Sequence, residues 1–367
     1  MVAFLQINFE SMKYLFIVQG EGRGHMTQAM TLERMLLDRG HEVVGIMVGK
    51  SPIRKVPEFF LKGVKAPVSF YESVNFQPSA ENRKPSMVKT MLFNTLAFHK
   101  YFPSIQYVCD YIRASGADVV VNFYDLTAGL AYFFHDIDIP MVCIGHQYLF
   151  LHKDFGLPRE QYPDSIALDF YTHLTSVKAV KHLALSFKSM PDDEKRKIVT
   201  VPPLLRQEVL DIEPVQGNYL HGYMLNSGFA DDVMKWHEEH PDVELRFFWD
   251  KWEMGKVHKV DDTLSFYLLD DKEFLHQMAG CKAYASTAGF ESVCEAIYMG
   301  KPILMVPSHI EQEINAFDAS RNGVGVYCDR FDLSLLLEFS EVFEVNYEFR
   351  DWVRSAPELI IKELENL

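Results

Sequence analysis

Short apolar, β-rich runs alternate with stretches of helical periodicity along almost the whole chain. In the first half, runs at 14–19, 42–48, 68–71, 118–122, 141–144 and 183–186 predict strands. Periodic stretches at 26–39, 86–114 and 126–135 predict helices. The second half repeats the plan, with strands at 219–225, 244–249, 264–268, 283–285 and 303–306 and helices at 230–240, 271–279, 290–299 and 312–321. Strands alternating with helices signal parallel α/β architecture. The prolines within 201–214 break both periodicities and mark a linker. The expected organisation is therefore two Rossmann-like parallel α/β domains, 1–200 and 215–346, facing an interdomain cleft where a ligand binds. The tail 347–367 reads as a helix, for which packing back on the first domain is one placement.

The length of 367 residues lets each half bury its own core. No apolar run reaches the roughly 18 residues of a membrane-spanning helix. Residues 1–11 lack the basic start and small-residue cleavage site of a signal peptide, and Met12-Lys13 directly precedes the first strand. That stretch reads as an extension from an upstream start, expected to be poorly ordered. The five cysteines, Cys109, Cys143, Cys281, Cys294 and Cys328, form no CxxC pair, which points to reduced thiols in a cytoplasm. The net charge of −15 is lopsided: residues 1–200 hold 22 basic and 20 acidic side chains, residues 201–367 hold 14 and 31. This argues against nucleic-acid binding by the second half. Residues 51–110 hold eight basic and four acidic side chains among many aromatics. That stretch is either a solvated face or a patch for an anionic lipid or acceptor. Within it, Met87, Val88, Met91, Leu92 and Leu96 keep core spacing while Phe93 and Phe98 fall off the stripe, near Lys84, Lys89 and Lys100. Core packing and peripheral membrane docking are both open there.

The first strand runs into Gly20-Glu21-Gly22-Arg23-Gly24-His25 and then a helix, at the carboxyl end of the strand, where open α/β sheets bind ligands. His25 stands where the third glycine of a dinucleotide fingerprint belongs, the second strand ends in Gly49-Lys50 rather than an acid, and no Walker lysine follows. Dehydrogenase and P-loop readings both fail. What remains is a glycine loop presenting a histidine at a helix start, either as a cap or as a base for an acceptor hydroxyl. The fourth strand's end, Phe123-Tyr124-Asp125, lies on the same rim, so Asp125 either orients His25 or contacts the acceptor, or else caps its own helix. His146 and Gln147 follow the next strand and are candidates, with Gly22, Arg23 and Gly24, for acceptor contact. Asp136-Ile137-Asp138 resembles a metal motif but precedes its strand, and His237-Glu238-Glu239-His240 lacks the HExxH spacing. No metal site is expected.

Ser286-Thr287-Ala288-Gly289-Phe290-Glu291-Ser292 reads as a small-residue turn opening a helix, with Glu295 inside it, then a Pro-bounded apolar strand and Glu311-Gln312. Free N–H groups and the dipole make such a helix start attractive to phosphate, with Glu295 in reach of a ribose diol. An ordinary βαβ unit gives a similar pattern.

With both loops in view, the chain resembles GT-B glycosyltransferases of the UDP-glucuronosyltransferase-like and peptidoglycan N-acetylglucosaminyltransferase-like types, from Tyr14 to about Gly325. In the former the stretch runs H-C-G-W-N-S-x-x-E, then D-Q and N-A. Here it is Thr287-Ala288-Gly289-Phe290-Glu291-Ser292-Val293-Cys294-Glu295, then Glu311-Gln312 and Asn315-Ala316. The resemblance implies a donor site of Thr287, Ala288, Gly289, Phe290, Glu291, Ser292 and Glu295. Gly289 and Ser292 would meet the diphosphate, Glu295 the ribose, and Glu311 and Gln312 the sugar. Ser227 and Gly228, after the second half's first strand, match a phosphate loop more weakly. The implied activity is metal-independent hexosyl or N-acetylhexosaminyl transfer from a nucleotide sugar, UDP-linked by analogy, to an acceptor hydroxyl with inversion. The acceptor is a glycan, a lipid-linked or a small molecule, and no cofactor is implied beyond the co-substrate. Thr287 replaces the family's histidine and Glu291 its asparagine. A carboxylate beside a diphosphate is repulsive unless a cation or its own protonation offsets it. A hydrolysing UDP-sugar epimerase and a non-catalytic nucleotide-sugar sensor are the alternatives.

Overall fold

The computed structural model describes residues 11–51, 55–73, 98–157, 162–225 and 227–367. The expected extension, apart from Ser11, lies outside them, as do residues 86–97 of the expected helix 86–114 with Lys84 and Lys89. The rest of that helix is the turn Phe98–Tyr101 followed by the helix Phe102–Ala114.

The first sheet contains β1 (Lys13–Gln19), β2 (Glu42–Lys50), β3 (Val68–Glu72), β4 (Val119–Phe123), β5 (Met141–Gly145), β6 (Lys181–Leu185) and β7 (Ile198–Val201). All seven are parallel, in the order β3-β2-β1-β4-β5-β6-β7. Helices cover both faces, so the central strands are buried throughout, and this is why they read as continuous apolar runs. The second sheet contains β8 (Leu220–Tyr223), β9 (Leu245–Trp249), β10 (Val257–Lys259), β11 (Leu264–Leu268), β12 (Ala283–Ser286), β13 (Ile303–Met305) and β14 (Val326–Tyr327), in the order β10-β11-β9-β8-β12-β13-β14. Only β10 runs antiparallel to its neighbour. The chain is thus a two-domain α/β protein in which each sheet starts centrally, grows to one edge, and then restarts on the other side. The reversals fall between β1 and β4 and between β8 and β12.

Three strands carry no sequence prediction. β7 sits against the prolines of the linker, β10 is a polar three-residue edge, and β14 has two residues, too few for any periodicity. The tail forms two helices, Tyr347–Arg354 and Ala356–Glu365, and crosses back to the first sheet. There Trp352 Nε1 donates to the Ser186 carbonyl at 2.9 Å, Lys181 Nζ to the Glu363 carbonyl at 2.8 Å, and Glu365 meets His41 Nε2 at 3.0 Å. Between the sheets, the linker is pinned to the second domain where the buried Lys301 donates to the carbonyls of Val215 and Cys281 at 2.7 and 2.8 Å. No described helix is long and apolar enough to cross a membrane, and the five cysteines are free thiols.

Candidate active site

Both reversal points open toward one cavity of about 690 Å³ between the domains. Ligands of doubly wound sheets bind at such crevices because the loops diverge there. Arg23, Gly24, His25, Gln28, His146 and Gln147 contribute the first-domain wall. Thr287, Gly289, Phe290, Glu291, Ser292, Glu295, Glu311 and Gln312 contribute the other wall, with Asp250 and Asp271.

On the first wall, Gly20 lies so close to β2 that a Cβ would meet the Gly49 carbonyl oxygen at 2.7 Å, so the loop needs glycine to turn. The helix Arg23–Asp38 starts at the N-cap Gly22, which places His25 in its first turn. The imidazole lies over the ring of Tyr124 with centroids 5.7 Å apart, and its Nδ1 is 3.3 Å from Gln28 Oε1, one helical turn on. Desolvation pulls the His25 pKa down to about 4, only partly opposed by the Gln28 contact, so the ring is neutral at pH 7.

Of the roles open to Asp125, the geometry is that of the cap. Its Oδ1 accepts from the Thr127 and Ala128 amides at 2.7 and 3.4 Å, and its Oδ2 accepts from Ser73 Oγ at 3.0 Å. The carboxylate is fully buried behind the cavity wall, and the partner at His25 Nδ1 is Gln28. His146 is likewise packed more than presented. Its Nδ1 and the Leu185 carbonyl are 2.7 Å apart and its ring stacks at 4.0 Å on Phe290 of the other domain. Gln147 reaches across to donate to Glu311 Oε1 at 2.9 Å.

On the second wall, β12 ends at Ser286 and the chain turns through Thr287 and Ala288, the latter at φ 60°, into the helix Phe290–Tyr298. Thr287 is buried, and its Oγ1 accepts from the Leu225 amide at 3.3 Å, tying this turn to the loop after β8. Gly289 is the N-cap; having no side chain, it leaves the first N–H groups of the helix facing the cavity, and Ser292 Oγ turns back to the Gly289 carbonyl at 3.2 Å. Ala288 itself lies beneath the surface, its carbonyl accepting from Asn315 Nδ2 at 3.2 Å. Glu295 Oε1 accepts from Arg206 Nε of the linker at 2.8 Å. Gln312 Oε1 accepts from the amide and hydroxyl of Ser308 at 2.9 and 2.7 Å. Ser227 and Gly228 form a short turn after β8, with the Ser227 side chain outside the described residues.

Glu291 crosses the cleft. One of its carboxyl oxygens accepts from Gln28 Nε2, and Gly24 makes room: a Cβ there would sit 2.9 Å from Glu291 Cγ. Desolvation pushes the Glu291 pKa up to about 8 and its hydrogen bond from Gln28 only partly offsets this. Burial thus works against a charge on Glu291, the direction that eases the repulsion expected beside a diphosphate. Arg23 likewise bridges the cleft to Asp271 at 2.6 Å. Gln28, Arg206 and Asp271 were not among the sequence candidates. Gln28 carried a faint signal, three residues beyond His25 on one helix face; Arg206 and Asp271 carried none, since their importance lies in partners from distant elements.

Comparison with known proteins identifies the fold and the family. The family model for glycosyl transferase family 1 matches residues 12–342. The chain's fold matches the glycotransferase of kitacinnamycin (TM-score 0.63, 15% identity, covering 96% of this chain and 99% of that one). It also matches Phytolacca americana UGT2 complexed with UDP-2fluoro-glucose and pterostilbene (0.62, 13%, 97% and 99%). A third is Medicago truncatula UGT71G1 complexed with UDP-glucose (0.60, 15%, 97% and 98%). No curated protein sequence matches the chain significantly. At these identities the solved structures establish the GT-B fold, and the family match over most of the chain establishes membership: this protein belongs to glycosyl transferase family 1.

Proposed function

We propose that the protein transfers a sugar from a UDP-sugar to an acceptor hydroxyl with inversion, using His25 as general base. The observation that carries this reading is the opposition of two unlike loops across one cavity: a neutral imidazole on one wall, an open helix N-terminus followed by Glu295 on the other. In this reading the diphosphate sits on the N–H groups behind Gly289 and Ser292, where the helix dipole favours negative charge. Glu295, held by Arg206, receives the ribose hydroxyls, and Glu311 and Gln312 face the sugar. The acceptor enters from the wall of Arg23 and Gln147. Its oxygen attacks the anomeric carbon from the side opposite the diphosphate, its proton passes to His25 Nε2, and the bond to the diphosphate oxygen breaks. Charge developing on that oxygen is met by the same helix N–H groups, so binding and leaving-group stabilisation share one device. Two structures of the same fold carry UDP-sugars in their complexes, which supports the choice of nucleotide.

The test is His25→Ala, assayed with a panel of UDP-sugars and acceptors. Transfer should fall on the order of a thousandfold while UDP affinity by calorimetry stays unchanged. In the unaltered protein the acid limb of kcat/KM should lie near pH 4 rather than 6.5, because the depressed pKa of His25 keeps the base available down to that pH. Retained transfer in the variant overturns the base assignment.

A further inference from the structure

We propose that Gln28 and Glu291 form a relay across the cleft that sets the imidazole tautomer of His25, so that the base is completed only when the two domains close. This rests on the reading of His25 as base and adds what makes it one.

Glu291 belongs to the second domain, and Gln28 and His25 to the first. In the structure the Gln28 Nε2–H group donates to a Glu291 oxygen in the second domain, and Gln28 Oε1 faces His25 Nδ1 at 3.3 Å. An amide oxygen can only accept, so Nδ1 carries the proton and Nε2 keeps the lone pair needed to take a proton from an acceptor. With the domains apart Gln28 loses its anchor. Its amide is then free to flip and donate to Nδ1, and the proton sits on Nε2, the wrong nitrogen for a base. Three of the other charged groups of the cavity are tied elsewhere: Arg23 pairs with Asp271, Arg206 with Glu295, and Glu311 accepts from Gln147, while Lys55 and Asp250 also line the cavity. Gly24 belongs to the same device, since a side chain there would push Glu291 off its line of approach. Coupling the base to closure keeps water from being activated against the donor before the acceptor is enclosed.

Four variants test this. Gln28→Leu and Glu291→Ala should each lower kcat ten- to a hundredfold, roughly the loss expected from a misoriented base, with UDP affinity of Gln28→Leu unchanged by calorimetry. Glu291→Gln keeps an oxygen for Gln28 but adds an NH2 group that can donate to a flipped Gln28, so its kcat should fall between those of the unaltered protein and Glu291→Ala. The exchanged pair Gln28→Glu with Glu291→Gln restores an acceptor at Nδ1. It should recover turnover relative to Gln28→Leu and move the acid limb of the pH profile upward, because a carboxylate now stabilises the imidazolium. Nitrogen NMR of His25 should show the Nδ1–H tautomer in the unaltered protein saturated with UDP, and its loss in Gln28→Leu under the same conditions. Wild-type kcat in Gln28→Leu, or an Nε2–H tautomer in the UDP-saturated unaltered protein, overturns the relay. His25→Ala separates the two claims: if it alone stops transfer, the base stands and the relay falls.

Discussion

The turns that follow β4 and β12 occupy equivalent places, each leaving the strand next to a reversal point, and their backbones agree closely. Each passes through one residue in the left-handed region, Tyr124 or Ala288, both at φ 60°. Each then has an extended N-cap, Asp125 at φ −83° and ψ 129° or Gly289 at φ −66° and ψ 130°, and each starts a helix of nine residues. The caps differ. Asp125 folds its carboxylate onto the first N–H groups and closes that helix end; Gly289 leaves the other end open. The fold supplies the same helix start twice, and one side chain decides which of them is left open.

That contrast can be broken directly. Gly289→Asp should convert the open turn into a copy of the closed one. The N-cap dihedrals suit aspartate, and the nearest atom to an added Cβ is Ser292 Oγ at 3.8 Å. UDP affinity should fall on the order of a hundredfold, through loss of the N–H groups and repulsion of the diphosphate, while thermal stability holds. Unchanged affinity by calorimetry would show that the seat is not used. Next in size, Asp125→Ala removes a buried cap and one of the two hydrogen-bond partners at Ser73 Oγ, Thr127 Oγ1 being the other. We expect destabilisation of about 2 kcal/mol, read as a lower unfolding midpoint in urea. No loss would mean that the closed turn does not need its carboxylate. Smallest is Ala288→Gly, which relieves a left-handed alanine and should raise stability by up to about 1 kcal/mol. A drop instead would place the strain elsewhere in the turn.

Much of the fold was legible in the chain because strands covered on both faces are apolar along most of their length, as in Val119–Phe123, where Asn122 alone is polar. β10 and β14 escaped because a short edge has one solvent side and needs no such run. The block from Ser286 to Gln312 was legible because its small-residue turn, helix start, Pro-bounded apolar strand and polar loop follow one another on consecutive elements. Asp125 shows the limit: capping a helix and orienting a histidine call for the same residue at the same place, and only the positions of Ser73, Thr127 and Gln28 separate the two. Glu291 stood out as a departure in the sequence, yet its partner did not, since Gln28 is 263 positions away and belongs to the other wall.

The return of the chain after the second sheet also constrains how the cleft opens. The peptide passes between the domains twice, once through the linker that Lys301 fastens at Val215 and once ahead of the helix Tyr347–Arg354, whose Trp352 is tied to Ser186. A single strap would let one body swivel in any direction about its attachment. Two straps remove most of those freedoms and leave rotation about the line joining them, like a door on two pins. An opening of the cleft would then be held to one arc, along which Glu291 comes back to Gln28 in the same register.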